Sequence, residues 1–458
     1  MKAYDLKPTF DNLLDTYTRN VIGRNPDVFR FTEILDSVED GCSIALDGNW
    51  GSGKTFFVKQ VKMVMDAHNN FISHNDDDKA DEVVAIRKQY YRDKIFDLQP
   101  QVCVYYDAWE NDNDEDPIMS LVYAILCSVE TDFSFKDSNF IKAGASIMEV
   151  FSGRSWTQLI ENLKGSSPLD VLKERKDVEL LVGEFLDSLI PEKGNRLVVF
   201  IDELDRCKPS YAVRLLERIK HYFSHDNITF VFSVNINELQ HTIRKHYGDD
   251  FNGTRYLDRF FDLKVTLPSP NLQGYFSSLN FNDSYYTYDI VCGAVIKAYH
   301  FELREIAKYL RLTKIAAYAP THDNAYHFSF SEGRALQFCL LYIIPIMIGL
   351  KTSDTKRYAE FIKGRDHTPL IEIANALKIR MFDELLNRDE TYDSQSANQT
   401  VVTLEDKLKA VYDALFVTSY GGEIYSVTIG EMQFDASTKD TLLRTTGLLS
   451  RYTKLDVD

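Results

Sequence analysis

Residues 43–55 read SIALDGNWGSGKT, and the fold is decided there. A short apolar run, SIALD, stops at a glycine-rich turn, and a helical pattern, FFVKQVKMVMDA, follows it. Within the turn, Gly48-Asn49-Trp50-Gly51-Ser52-Gly53-Lys54-Thr55 fits GxxxxGK[ST] at every defined position. Strand, loop and helix in that order are the setting a phosphate-binding loop requires. Glycines permit positive φ, so successive backbone N–H groups can turn inward and cradle phosphate oxygens. The helix behind the loop directs its positive N-terminal end at the same anion. Lys54 is expected to reach the β- and γ-phosphates, and Thr55 to place its hydroxyl on Mg²⁺. The ligand implied is ATP with magnesium.

A second acidic signal lies at 197–203, LVVFIDE. An apolar strand ending in two acids sets carboxylates at the carboxyl edge of a sheet, where ligands bind in open α/β folds. Asp202 is expected to hold Mg²⁺ through its water shell. Glu203 is expected to take the proton of an attacking water as general base. An acidic pair after a strand is common by itself. Its weight comes from the phosphate loop upstream.

The next apolar run ends Phe232-Ser233-Val234-Asn235. Asn235, with Ser233 behind it, is the candidate for orienting the lytic water, and the competing reading is an asparagine that caps the following helix. Charge builds on the γ-phosphoryl oxygens during transfer, so an arginine is also wanted. Arg255 and Arg259, before the run 263–267, and Arg304, farther on, are candidates. Each reads equally as a surface ion-pair partner.

The runs at 43–47, 101–106, 196–201, 228–234 and 263–267 read as buried strands separated by helical stretches. That alternation predicts an α/β fold, a parallel sheet with helices on both sides. In Tyr211 to Phe223, Leu215, Leu216, Ile219 and Phe223 share one face. Polar insertions interrupt the core at 68–100 and at 111–190, the latter mostly helical. After Pro268-Ser269-Pro270 the period becomes 3.6, which marks a boundary. The expected division is a nucleotide-binding core over 1–270, a helical domain over 271–385, and a linker with a small α/β tail over 386–458. In the tail, helices are expected near 403–415 and 437–451.

With 44% hydrophobic and 26% charged residues, the 458-residue chain has ordinary material for two or three cores. A net charge of −17 disfavours non-specific binding to nucleic acid and leaves only a local basic groove open. The six cysteines form no CxxC pair, as suits reduced core thiols. The opening MKAYDLKPTFDN has no apolar signal segment, so a cytoplasmic location is expected. Ala335 to Leu350 is short for a membrane span and holds Gln337 and Pro345, so it reads as a buried helix. The acidic loop Asp112 to Asp116 lacks the glycine and the closing glutamate of a calcium loop.

These residues together resemble the KAP family of P-loop NTPases. The loop LDGNWGSGKT carries the internal Trp that family favours, and Tyr106-Asp107-Ala108-Trp109-Glu110-Asn111 is similar to its aromatic-x-Ala-Trp segment. FIDELDRCKP at 200–209 looks like its second acidic motif, and Tyr256-Leu257-Asp258-Arg259-Phe260-Phe261 like its approach to the fifth strand. Leu303 to Tyr309 is similar to its sensor-arginine segment. Val21-Ile22-Gly23-Arg24 resembles a box that packs near adenine, with Asn25 where an acid is usual. The resemblance spans roughly residues 20–385 and implies a soluble bacterial member linked to phage defence, since 111–190 holds no membrane segment. Two functions follow: an ATPase switch or motor, acting as a homo-oligomer with protein partners in a defence or signalling complex, or a nucleotide-gated scaffold with little turnover. A kinase is a distant third, because no acceptor pocket is visible.

Overall fold

The apolar runs become strands β1 (Cys42–Asp47), β2 (Val102–Asp107), β3 (Leu197–Asp202), β4 (Ile228–Val234) and β5 (Leu263–Thr266). The computed structural model describes residues 6–72, 77–91, 97–114, 116–133, 185, 194–223, 226–284, 286–317, 333–377 and 403–447. The five strands form one parallel sheet in the order β2-β3-β4-β1-β5.

Residues 6–275 fold as one unit around this sheet. Helices α1 (Phe10–Thr18), α2 (Asn25–Ser37), α3 (Lys54–Ala67) and α4 (Asp77–Tyr91) share a core with Ile44, Leu46, Cys103, Val198, Phe200 and Val231. The alternate strand residues, Ala45, Val104, Val199, Ile201, Phe230 and Phe232, turn to the other face. They meet helices α5 (Pro117–Phe133), α6 (Pro209–Tyr222) and α7 (Ile236–Tyr247), together with Leu257 of the short α8 (Gly253–Leu257). Both faces are covered, so β1, β3 and β4 are almost wholly apolar inside, as a parallel sheet requires.

The fifth strand departs from the expectation of burial. β5 pairs with β1 alone, and Leu263 is 43% exposed because an edge strand has a neighbour on one side only. The polar insertion at 68–100 contains helix α4. Of the insertion at 111–190, the helix α5 is described; most of the remainder and the linker at 386–400 lie outside the described residues.

From Phe276 the chain forms a second, mostly helical unit, reached through α9 (Leu272–Ser278). Its helices are α10 (Thr287–Ala298), α11 (Leu303–Ala317), α12 (Arg334–Ser353), α13 (Thr355–Ile362), α14 (Thr368–Leu377), α15 (Leu404–Tyr412) and α16 (Ala436–Gly447). An antiparallel hairpin, β6 (Ser426–Ile429) and β7 (Met432–Asp435), precedes α16. Helix α12 is long and apolar enough to cross a membrane, yet 72% of its most apolar window is buried within the fold. Its turn Cys339–Ile343 is π-helical just ahead of Pro345, whose missing N–H disrupts the regular ladder. Gly349 lets α12 and α10 approach closely, because a Cβ there would meet Val295 Cγ1 at 2.4 Å.

Candidate functional site

Parallel strands in register end together, and the sheet's carboxyl edge collects the candidates. Asp47 of β1 lies opposite Val234 of β4, Ser233 opposite Asp202 of β3, and Asp202 opposite Asp107 of β2. The loop 48–53 leaves β1 at this edge, with its first amide, Gly48 N, donating to Val234 O at 3.1 Å. Gly51 and Gly53 adopt φ of 84° and 93°, values that glycine supplies without strain. Gly48 stands where a side chain would be crowded: a Cβ there would lie 3.0 Å from Ser52 Oγ and 3.3 Å from Lys54 Cγ.

Lys54 opens α3 and folds back over its own loop, donating to Gly48 O at 2.6 Å and Asn49 O at 3.1 Å. Burial lowers its ammonium from the ordinary lysine range, while the charges of Asp205, Asp202 and Glu203 pull it back up. Thus the loop cation already sits in the field of the acidic strand end. Ser52 Oγ is buried with no hydrogen-bond partner, an orphaned hydroxyl inside the loop. Thr55 follows on the first turn of α3, half-buried.

Asp202, 1% exposed, ends β3 with both carboxylate oxygens held. Tyr105 Oη donates to Oδ2 at 3.0 Å, and the Glu203 amide donates to Oδ1 at 3.0 Å. Tyr105 stands two residues before Asp107, so it shares a sheet face with Asp202, and Lys59 Nζ caps its ring at 4.1 Å. Thr55 and Asp202 offer hard oxygen donors, the ligand chemistry Mg²⁺ takes alongside phosphate. The donor set fits that ion. Among the described residues, no cluster of three His, Cys, Asp or Glu side chains could hold a metal without phosphate.

Glu203 turns the chain out of β3 in a left-handed conformation, φ 62°, unusual for a residue with a Cβ. Burial pushes its carboxyl up to about 7, the Asp202 charge adds to the rise, and Arg206 opposes it. Arg206 Nε lies 2.5 Å from Glu203 Oε2. Asp205, on the same tight turn, accepts from Trp50 Nε1 at 2.5 Å and from Asn235 N at 3.1 Å. Burial raises its carboxyl while Lys54 lowers it, and Oδ1 is left without a hydrogen bond.

Asn235 sits at the same edge as the cap of α7: its Oδ1 accepts from Asn237 N at 3.1 Å and Glu238 N at 3.3 Å. The capping reading is therefore what its oxygen does. Ser233 is fully buried, with Oγ unpartnered. Gly23 takes φ 71° beside Asn271, and Arg24, 3% exposed, donates to Ser52 O at 2.8 Å and Pro268 O at 2.6 Å. Arg24 thus braces the phosphate loop from behind through its backbone.

Arg255 and Arg259 are not gathered here. Both are exposed, on the segment entering the amino end of β5, where Ser43 N donates to Asp262 Oδ2 at 2.8 Å. The phosphate loop leaves the opposite end of β1. Arg304 is exposed on α11 of the helical unit. The acidic loop is spoken for by protein: Asp112 Oδ2 accepts from Lys208 N at 3.1 Å, Asp114 from Ser120 at 2.5 Å, and Asp116 lies 3.3 Å from Arg218. Tyr105, Asp205 and Arg206 were not singled out from sequence. Tyr105 needed the β2–β3 register, whereas Arg206 was visible three residues after Glu203.

The family model described as the KAP family P-loop domain matches residues 25–281. Over 84 residues the chain is 31% identical to an uncharacterized protein of Methanocaldococcus jannaschii, an alignment covering 18% of this chain and 43% of that one. The chain therefore spans less than half the length of that relative. A solved structure, the ORC2 protein of Aeropyrum pernix in ADPNP–ADP complexes, aligns over 86% of this chain and 95% of its own. At 11% identity and a TM-score of 0.32, that likeness carries no argument.

Proposed function

The chain belongs to the KAP family of P-loop NTPases, and from that premise we propose that it binds ATP with Mg²⁺ and hydrolyses it to drive a conformational switch. The observation that carries this reading is the meeting of Lys54 with Asp202, Glu203 and Asp205 at one sheet edge. Nucleotide phosphate would take the place of the Gly48 and Asn49 carbonyls on Lys54, with the loop amides on its oxygens. Thr55 and Asp202 would hold Mg²⁺, which supplies charge neutralisation on the phosphates.

Glu203 is the proton acceptor in this scheme. Asn235 uses Oδ1 for its cap, and its side-chain amide is the part left to orient water. Arg24 and Gly23 support the loop. Arg259, with Arg255 as its neighbour, would serve the γ-phosphate of a second copy, since its segment leads to the end of the sheet away from its own loop. Arg304 is the candidate for service within the chain. Residues 271–385 would carry the switch, and 386–458 would form a linker and tail presenting a surface to a protein partner. A role in phage defence or signalling follows from the family resemblance, and the cysteine pattern and polar opening favour a cytoplasmic setting.

A nucleotide-gated scaffold with little turnover is the second reading, favoured by the engagement of Lys54 and Glu203 with the protein's own groups. The separating experiment is phosphate release from Mg·ATP by the purified chain and by Glu203→Gln. Release that depends on Glu203 supports the ATPase, and binding without release supports the scaffold.

A further inference from the structure

The turn after β3 carries an arginine for which the proposed chemistry has no assigned use. Arg206 pairs with Glu203 Oε2 at 2.5 Å, and the two side chains are 22% and 15% exposed. An exposed ion pair contributes little; this one is largely enclosed. Two indoles lie beside it. The Arg206 guanidinium lies 5.9 Å from the Trp50 ring and 5.6 Å from the Trp109 ring, within the range of cation–π attraction to both.

One indole is tied by its side chain, and the other is carried by a fixed backbone. Trp50, within the phosphate loop, is tied by Nε1 to Asp205. Trp109 rides on the turn after β2, where Asp107 Oδ1 accepts from the Trp109 amide at 3.1 Å and the Glu110 amide at 3.0 Å. The Ala108 amide joins that turn to Asp202 O at 3.0 Å. Both tryptophans are nonetheless among the exposed large hydrophobics, at 45% and 53%. Two large exposed aromatics thus lie within reach of one guanidinium.

We propose that Arg206 is the positioning residue for Glu203, with Trp50 and Trp109 fixing its guanidinium so that the carboxylate has one orientation at the end of β3. The assignment rests on the ATPase reading of the site. A carboxylate on a left-handed turn has no helix or strand to fix its rotamer, and the guanidinium supplies that constraint. Because one indole belongs to the phosphate loop and the other to the turn after β2, the orientation of Glu203 depends on two neighbouring segments. No bond is made or broken by Arg206; it acts through Glu203.

The test compares Arg206→Gln, Arg206→Lys and Trp109→Ala with wild type and Glu203→Gln, using calorimetry for Mg·ATP binding and single-turnover hydrolysis with excess protein. Arg206→Gln is expected to lower the hydrolysis rate on the order of 10–100-fold, the scale of a misplaced catalytic group, with ATP affinity unchanged. Arg206→Lys is expected to recover part of that loss, and Trp109→Ala to show a smaller loss of the same kind. The deciding comparison is the double variant Glu203→Gln/Arg206→Gln. A residue acting through Glu203 adds nothing once Glu203 is gone, so the double variant should match Glu203→Gln. A loss that persists in full in that background, or an Arg206→Gln rate equal to wild type, overturns the proposal. Failure of the underlying reading shows elsewhere, as a wild type that binds no nucleotide or a Glu203→Gln that hydrolyses at the wild-type rate. Melting temperatures of all variants separate either result from unfolding.

Discussion

Lys54, the proposed phosphate ligand, is held by its own loop. Its ammonium is buried, so it needs partners, and it finds them in the carbonyls of Gly48 and Asn49. Those bonds are local to the loop and hold no core element in place. Lys54→Ala should therefore leave the melting temperature close to that of wild type while abolishing or severely weakening ATP binding. Calorimetry that returned wild-type affinity for the variant would contradict the placement of phosphate in this loop. Glu203, the proposed base, is balanced by its surroundings: burial and the Asp202 charge favour its neutral form, and Arg206 favours the ionised form a proton acceptor would need.

At the scale of the element, the helix α7 carries a conflict that substitution can resolve. Asn235 both caps α7 and stands at the edge where water would be oriented. Asn235→Asp keeps the accepting oxygens and removes the amide donor, whereas Asn235→Ala removes both. The alanine variant should lose about 1 kcal/mol of stability with the cap. The aspartate variant should keep the cap, at some cost from a carboxylate placed beside Asp205, and lose turnover if the amide serves the water. Full turnover in Asn235→Asp would reduce Asn235 to a cap. The elements themselves are largely legible, because apolar runs such as LVVFID and ITFVFSV, alternating with helical stretches, suit strands buried on both faces of a parallel sheet. β5 is more exposed than its sequence suggests, since LKVTL is apolar at alternate positions and its place at the edge is a property of the sheet order. The hydrogen bond from Tyr105 to Asp202 lay beyond reach for a similar reason: it depends on the register of β2 against β3, which no local pattern encodes.

For the whole molecule, the question is whether one chain makes a complete site. Arg259 is exposed, forms no ion pair with a described residue, and lies on the segment entering the amino end of β5. If it serves a neighbour, Arg259→Ala should bind ATP normally and lose turnover, and wild-type activity per chain should rise with protein concentration. Mixing Arg259→Ala with Glu203→Gln should restore some activity, because some interfaces then pair an intact base with an intact arginine. A monomer of constant specific activity would exclude the idea and move the role to Arg304. All of this presupposes that the sheet edge is a working ATPase site, and nucleotide retention by Glu203→Gln tests that most directly. Gln preserves the shape of the side chain but cannot accept a proton. Incubated with Mg·ATP and freed of unbound nucleotide, the variant should hold intact ATP at wild-type affinity, with turnover down on the order of 10²–10⁴-fold. ADP formed by the variant at the wild-type rate, or no nucleotide bound by either protein, would contradict the account.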